Sequence, residues 1–196
     1  MQILRRNPEA RILACAPSNS AADLIASKLV DLGRENLFRF YAPTRAKDAV
    51  PDGLLSFTHT FQATDGHSHF SHPPLATMRR YRVVVCTCVS ASMASGIGLP
   101  RGHFSHIFVD EAGQATEPEV MIAIKTMADL HTNVVLSGDP KQLGPIIRSA
   151  VARDLKLDIS YLERLMERDV YQTRAGDGIT YVGLGPLLFG ARRADF

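Results

Sequence analysis

The run Ile107-Phe108-Val109-Asp110-Glu111-Ala112-Gly113-Gln114 leads an apolar stretch straight into two adjacent carboxylates. Such a run reads as a buried strand handing its acids to the ligand edge of an open α/β sheet, because ligands bind beyond the carboxyl ends of those strands. A second run has the same form: Asn133-Val134-Val135-Leu136, followed by Ser137-Gly138-Asp139-Pro140-Lys141-Gln142-Leu143-Gly144-Pro145. Short apolar runs bounded by turn residues recur at 12–16, 37–41 and 82–86, and predict further strands. Helical spacing fills 21–32, just after Ser18-Asn19-Ser20, and 118–130, where Pro118 suits a first helical turn. Strand and helix alternate, which predicts an α/β domain with a mostly parallel sheet, since parallel strands need crossover connections.

A length of 196 residues predicts one main folding unit. Apolar residues at 45% and charged residues at 21% exclude a disordered or membrane-spanning composition. The net charge of +2 and pI near 8.5 allow an anionic partner without requiring one, because the chain has no block of like charges. Cys15, Cys86 and Cys88 are odd in number, lie in or beside apolar runs and follow no secretory signal, so reduced thiols in the cytoplasm or nucleus are expected, and no membrane partner. Between 43 and 80 the rhythm breaks at Pro51, Gly53, Gly66, Pro73 and Pro74, which predicts a loop or insertion. A charged helix is expected over 161–170. Glycine-rich sequence follows, with a disordered tail predicted at 183–196.

Asp110 and Glu111 suit phosphoryl transfer. An aspartate at such a strand end can hold Mg²⁺, and a neighbouring acid can position or deprotonate the attacking water. The competing reading is an acidic start to the next helix. Gln142 both donates and accepts, which suits sensing of a γ-phosphate, with Asp139 and Lys141 in support. The alternative there is a plain turn built from Gly138, Asp139 and Pro140. Ser18, Asn19 and Thr87 are short hydrogen-bonding side chains at strand ends, fit for sugar and phosphate contacts or for capping the following helix. His67, His69, His72 and the Cys86/Cys88 pair lack the paired spacing of a structural zinc site and read as loop histidines and strand-end thiols. Arg79, Arg80 and Arg82 read as a solvated face.

The ordered set of 16–23 (Ala-Pro-Ser-Asn-Ser-Ala-Ala-Asp), Cys86-Thr87-Cys88, Asp110-Glu111-Ala112-Gly113-Gln114 and 138–145 resembles superfamily 1B RNA helicases. It looks most like the Armitage-type helicases of RNA silencing, relatives of the nonsense-mediated-decay helicase, over residues 3–182. The resemblance implies a RecA-like P-loop NTPase domain, part of a first motor domain that uses ATP and Mg²⁺ and moves on single-stranded RNA. Asp110 then matches the Mg²⁺ ligand, acting through water, and Glu111 the catalytic acid; Gln142 matches the γ-phosphate contact. Gly138 and Asp139 lie in the nucleotide-facing motif, and Pro17, Ser18, Asn19 and Thr87 match the positions that hold the nucleic-acid backbone. RNA-silencing or RNA-decay proteins are the partners implied.

Two departures from the family pattern shape the expectation. No glycine-rich loop ending in Gly-Lys-Thr/Ser occurs in the chain, and after Tyr181-Val182 the sequence does not run into the family's arginine-bearing motif or a second motor domain. That loop's amides and lysine cradle the phosphates, so the domain is expected to be incomplete and ATP hydrolysis by this chain alone is not expected. The alternative function is a catalytically inert α/β module that binds RNA or a protein partner. DNA in place of RNA stays open, because no residue here is seen to read a 2′-hydroxyl.

Overall fold

A computed structural model describes residues 2–64, 66–139, 143–168, 171, 179–184 and 187–192, the last two ranges by backbone alone. The chain opens with α1 (Gln2–Arg6), β1 (Ile12–Ala16) and α2 (Asn19–Ser27), then β2 (Leu37–Arg39). Next come α3 (Asp52–Leu55), β3 (His59–Gln62), β4 (Ser68–Ser71), α4 (Leu75–Met78) and β5 (Val83–Thr87). After α5 (Ser92–Gly96) and β6 (His106–Val109) follow α6 (Glu117–Met127), β7 (Asn133–Leu136), α7 (Ala150–Asp154) and α8 (Tyr161–Met166).

Five strands form one wholly parallel sheet in the order β2-β5-β1-β6-β7. β1 lies at its centre and is buried along its whole length. Its side chains alternate between two cores, as a strand's period of two requires. Leu13 and Cys15 join Val84, Cys86, Ile107 and Val109 under α5 and α6. Ile12, Ala14 and Ala16 join Leu37, Val83 and Val85 under α2. Each layer buries apolar side chains from neighbouring strands, and that burial is the main force setting the sheet.

The helix ends follow from local chemistry. Ser18 caps α2 by accepting from Ala21 N at 3.2 Å. Thr116 and Glu119 form a reciprocal capping box at the start of α6, with Pro118 in its first turn. The helix predicted over 21–32 is shorter, ending at Ser27 before a 3-10 turn at Val30–Leu32.

Residues 43–80, predicted as a loop or insertion, hold α3, the antiparallel β3–β4 hairpin and α4. Each of these elements is four residues long, too short to show a period, and buried Leu54, Phe70 and Met78 pin them to the cores. Where the sequence predicts a disordered tail from 183, β8 (Ile179–Leu184) pairs antiparallel with β9 (Leu187–Arg192), and β9 runs beside β7. Between the two strands the sequence reads Gly185-Pro186, and both residues lie outside the described ones. Residues 169–170 of the predicted helix 161–170, and 193–196, lie outside the described residues. Among the described residues no helix is long and apolar enough to cross a membrane.

Candidate functional site

The register of the sheet decides what stands beside what. Ala16 is level with Thr87, Cys15 with Val109, and Val109 with Leu136. One step further on, Thr87, Ala16, Asp110 and Ser137 therefore form a row across four neighbouring strands at their carboxyl ends. With strands roughly 4.8 Å apart, Thr87 and Asp110 stand about 10 Å from each other, with β1 between them.

Asp110 follows the last residue of β6, half-buried, its N–H donating to Cys15 O at 2.9 Å. Ser137 Oγ donates to its Oδ1 at 2.8 Å, which holds the carboxylate in place. Glu111 takes a left-handed backbone, φ 54°, which costs a non-glycine residue on the order of 1 kcal/mol. The turn is closed by Gln114 N donating to Glu111 O at 2.9 Å, and Gln114 Nε2 donates to Glu111 Oε2 at 3.1 Å. Facing it, Ala112 N donates to Ser137 O at 2.8 Å. Gly138 (φ 152°) lies so close that a Cβ there would come within 3.0 Å of Ala112 N. The acidic turn and the Ser137-Gly138 turn are thus one interlocked unit.

Asp139 continues from this unit; Gln142, with Pro140 and Lys141, lies outside the described residues. One oriented carboxylate suits Mg²⁺, which keeps several waters and takes one or two carboxylates plus phosphate oxygens. Among the described residues no three His, Cys, Asp or Glu side chains gather to hold a metal by themselves. A cavity of about 340 Å³ opens beside Asp110 and Ser137, walled by Leu4, Ile12, Ile25 and Phe108.

On the other side of β1, Ser18 Oγ is shared between Ala21 N and Ser20 Oγ (3.0 Å), and Asn19 begins α2 half-exposed. Thr87 Oγ1 donates to Ser90 Oγ at 2.9 Å and accepts from Ser90 N at 3.2 Å, so it also caps the turn after β5. Pro17 and Ser18 share an open cleft of about 620 Å³ with Gln114, Leu143 and Ile146. Gln114 therefore touches both halves: its amide bonds Glu111 and it lines the cleft of Ser18.

The Asp110–Ser137 end and the Ser18–Thr87 end thus meet along one sheet edge. Residues 75–150 match the family model of an AAA domain. The chain is 42% identical over 168 residues to RNA helicase Mov10l1 of Homo sapiens, covering 84% of this chain and 13% of that protein. It is 38% identical over 174 residues to RNA helicase Mov10l1 of Mus musculus (87% and 14%) and 35% identical over 187 residues to Probable RNA helicase armi of Drosophila melanogaster (88% and 16%). The chain belongs to the superfamily 1 helicases. It spans 13–16% of the length of these relatives.

Two further side chains belong to the candidate site and carry no role in the sequence reading. For Ser137 the usable signal is a hydroxyl directly after a buried strand, beside a strand ending in Asp. Gln114 has no signal of its own in the motif, because its two-sided contact exists only once the chain is folded.

Proposed function

We propose that this chain is the part of an ATP-dependent RNA helicase motor that sets the hydrolytic carboxylates against the nucleic-acid grip. The observation that carries the reading is the row Thr87, Ala16, Asp110 and Ser137, with Gln114 reaching from Glu111 to the cleft of Ser18. When bound, Mg²⁺ neutralises charge on the phosphates of ATP, and Asp110, tied down by Ser137, is the residue that would hold it through water. Glu111 orients the attacking water and takes its proton as the oxygen bonds to the terminal phosphorus and the bridging P–O bond breaks. Pro17, Ser18, Asn19 and Thr87 contact the sugar-phosphate backbone, Gly138 and Asp139 lie on the nucleotide side, and Gln142 takes the γ-phosphate role that the helicase resemblance implies. Backbone contacts give little base preference and a strong salt dependence. The helicase resemblance supports single-stranded RNA as the partner, a cytoplasmic location and work beside RNA-silencing or RNA-decay proteins.

The test is RNA-stimulated ATP hydrolysis by the chain and by a form extended upstream with a Gly-Lys-Ser/Thr loop, each beside Glu111→Gln. Hydrolysis in the extended form that Glu111→Gln abolishes supports the reading. RNA binding with no hydrolysis in either form favours the inert-module alternative, and preference for DNA in competition overturns the RNA assignment.

A further inference from the structure

Arg39, the last residue of β2, has no exposed surface at all. Taking a guanidinium out of water is costly, and a buried ion pair is often no more stabilising than apolar residues of the same size. Stability alone is therefore a poor account of this residue, and its bonds suggest another. Arg39 Nε donates to Asp23 Oδ1 at 2.8 Å, Nη2 lies 2.7 Å from the same oxygen, and Nη1 donates to Phe40 O at 2.6 Å. Tyr41 Oη donates to Asp23 Oδ1 at 2.6 Å, and the Tyr41 ring lies under the guanidinium at 4.0 Å. Burial and the Asp23 bond together push the Tyr41 phenol well above its usual pKa, so it stays a donor.

The remaining reach of this hub goes to Asn19. Arg39 Nη2 donates to Asn19 Oδ1 at 3.0 Å and more weakly to Asn19 O at 3.4 Å. Asn19 and Asp23 are four residues apart on α2 and so share one face of the helix. Because arginine can only donate, the amide oxygen of Asn19 must turn inward, and its Nδ2–H₂ turns away from the guanidinium on a half-exposed residue at the sheet's ligand edge. A carbonyl that accepts from a cation also polarises its own N–H groups and makes them stronger donors.

We propose that Arg39 is a positioning residue for nucleic-acid binding, locking Asn19 so that its amide N–H groups are presented to the phosphates of a bound single strand. The proposal rests on the nucleic-acid reading of Asn19. Lysine at position 39 keeps the charge beside Asp23 but lacks the planar fork needed to hold Asn19 at the same time.

The experiment measures binding of a fluorescent single-stranded RNA of uniform sequence by the full chain, Asn19→Ala, Arg39→Lys and the double variant. Each single change is expected to weaken binding about threefold to tenfold. The double variant is expected to be no weaker than Asn19→Ala alone, because both remove one contact. A loss in Asn19→Ala with Arg39→Lys at full affinity, or losses that multiply, overturns this proposal and leaves the nucleic-acid reading standing. Full affinity in Asn19→Ala overturns that reading and the proposal with it. Should Arg39→Lys fail to fold, side-chain NMR of the unaltered protein decides. Asn19 Nδ2–H₂ signals that move on RNA addition while the Arg39 Nε–H signal stays protected support the proposal, and an Asn19 amide indifferent to RNA overturns it.

Discussion

At the ends of β6 and β7 the backbone itself makes the site: Ala112 N meets Ser137 O, Gly138 leaves no room for a side chain, and Glu111 is held in a left-handed turn. At the ends of β2 and β1 the same work falls to charge, with Arg39 buried against Asp23 and reaching Asn19. The difference fits what the proposed function would ask of each half. Reacting atoms have to be placed to within a fraction of an ångström, which short backbone contacts achieve. A sliding polymer needs oriented donors that tolerate any base, which a polarised side-chain amide supplies. Gln114 bonds Glu111 and also lines the cleft of Ser18.

The largest expected effect falls on the hydrolytic half. In the loop-extended form, Glu111→Gln should reduce RNA-stimulated turnover about a hundredfold or more while RNA affinity holds, since the amide keeps the size but cannot take a proton. Equal loss of both would break the division between the halves. Gly138→Ala comes next. A Cβ within 3.0 Å of a backbone nitrogen, at φ 152°, should cost about 2 kcal/mol and lower the calorimetric melting temperature by roughly 4–8 °C. An unchanged melt would mean that the two turns are not interlocked.

Thr87→Val sharpens the comparison from the other side. It keeps the branched shape in β5 and removes the hydroxyl that caps the turn at Ser90, so RNA affinity should fall about threefold. Turnover at saturating RNA should stay level. A turnover defect would show that Thr87 acts across β1 on the hydrolytic row.

The strands that make this edge were legible because burial on both faces leaves a continuous apolar run. The predicted spans 12–16 and 133–136 agree with β1 and β7, and the run that opens at Ile107 lies in β6. Asp110, Ser18 and Thr87 were legible as polar residues set where such runs stop, and the structure places all three at the edge. Arg39 was not singled out, because a charge inside an apolar run looks like noise until Asp23, itself set among the apolar residues of α2, is brought beside it. The hairpin β3–β4 was hidden for another reason: four-residue elements rich in histidine, serine and threonine carry no period, and a single buried Phe70 anchors them.

The smallest effect is expected at the opposite end of the sheet, where the strands begin, and it tests whether that end is independent of both halves. His103 precedes β6 with its Nε2 buried and unpartnered, its ring edge-on to Phe104. Burial, then the nearby charges of Arg11 and Arg79, lower its pKa to about 4, and burial lowers that of His106 as well. Between about pH 6.5 and pH 4 the unfolded chain therefore binds a proton that the folded chain refuses. By linkage, stability is full above pH 6.5 and falls as the pH drops through that window. Asp129, held below its ordinary value chiefly by the His131 N–H, would contribute only at still lower pH. His103→Gln should therefore flatten the fall in melting temperature between pH 6.5 and pH 4.5 while leaving RNA affinity at pH 7 unchanged. An unaltered slope would show that His103 takes up its proton without unfolding cost, and a change in RNA affinity would mean that the two ends of the sheet are mechanically linked.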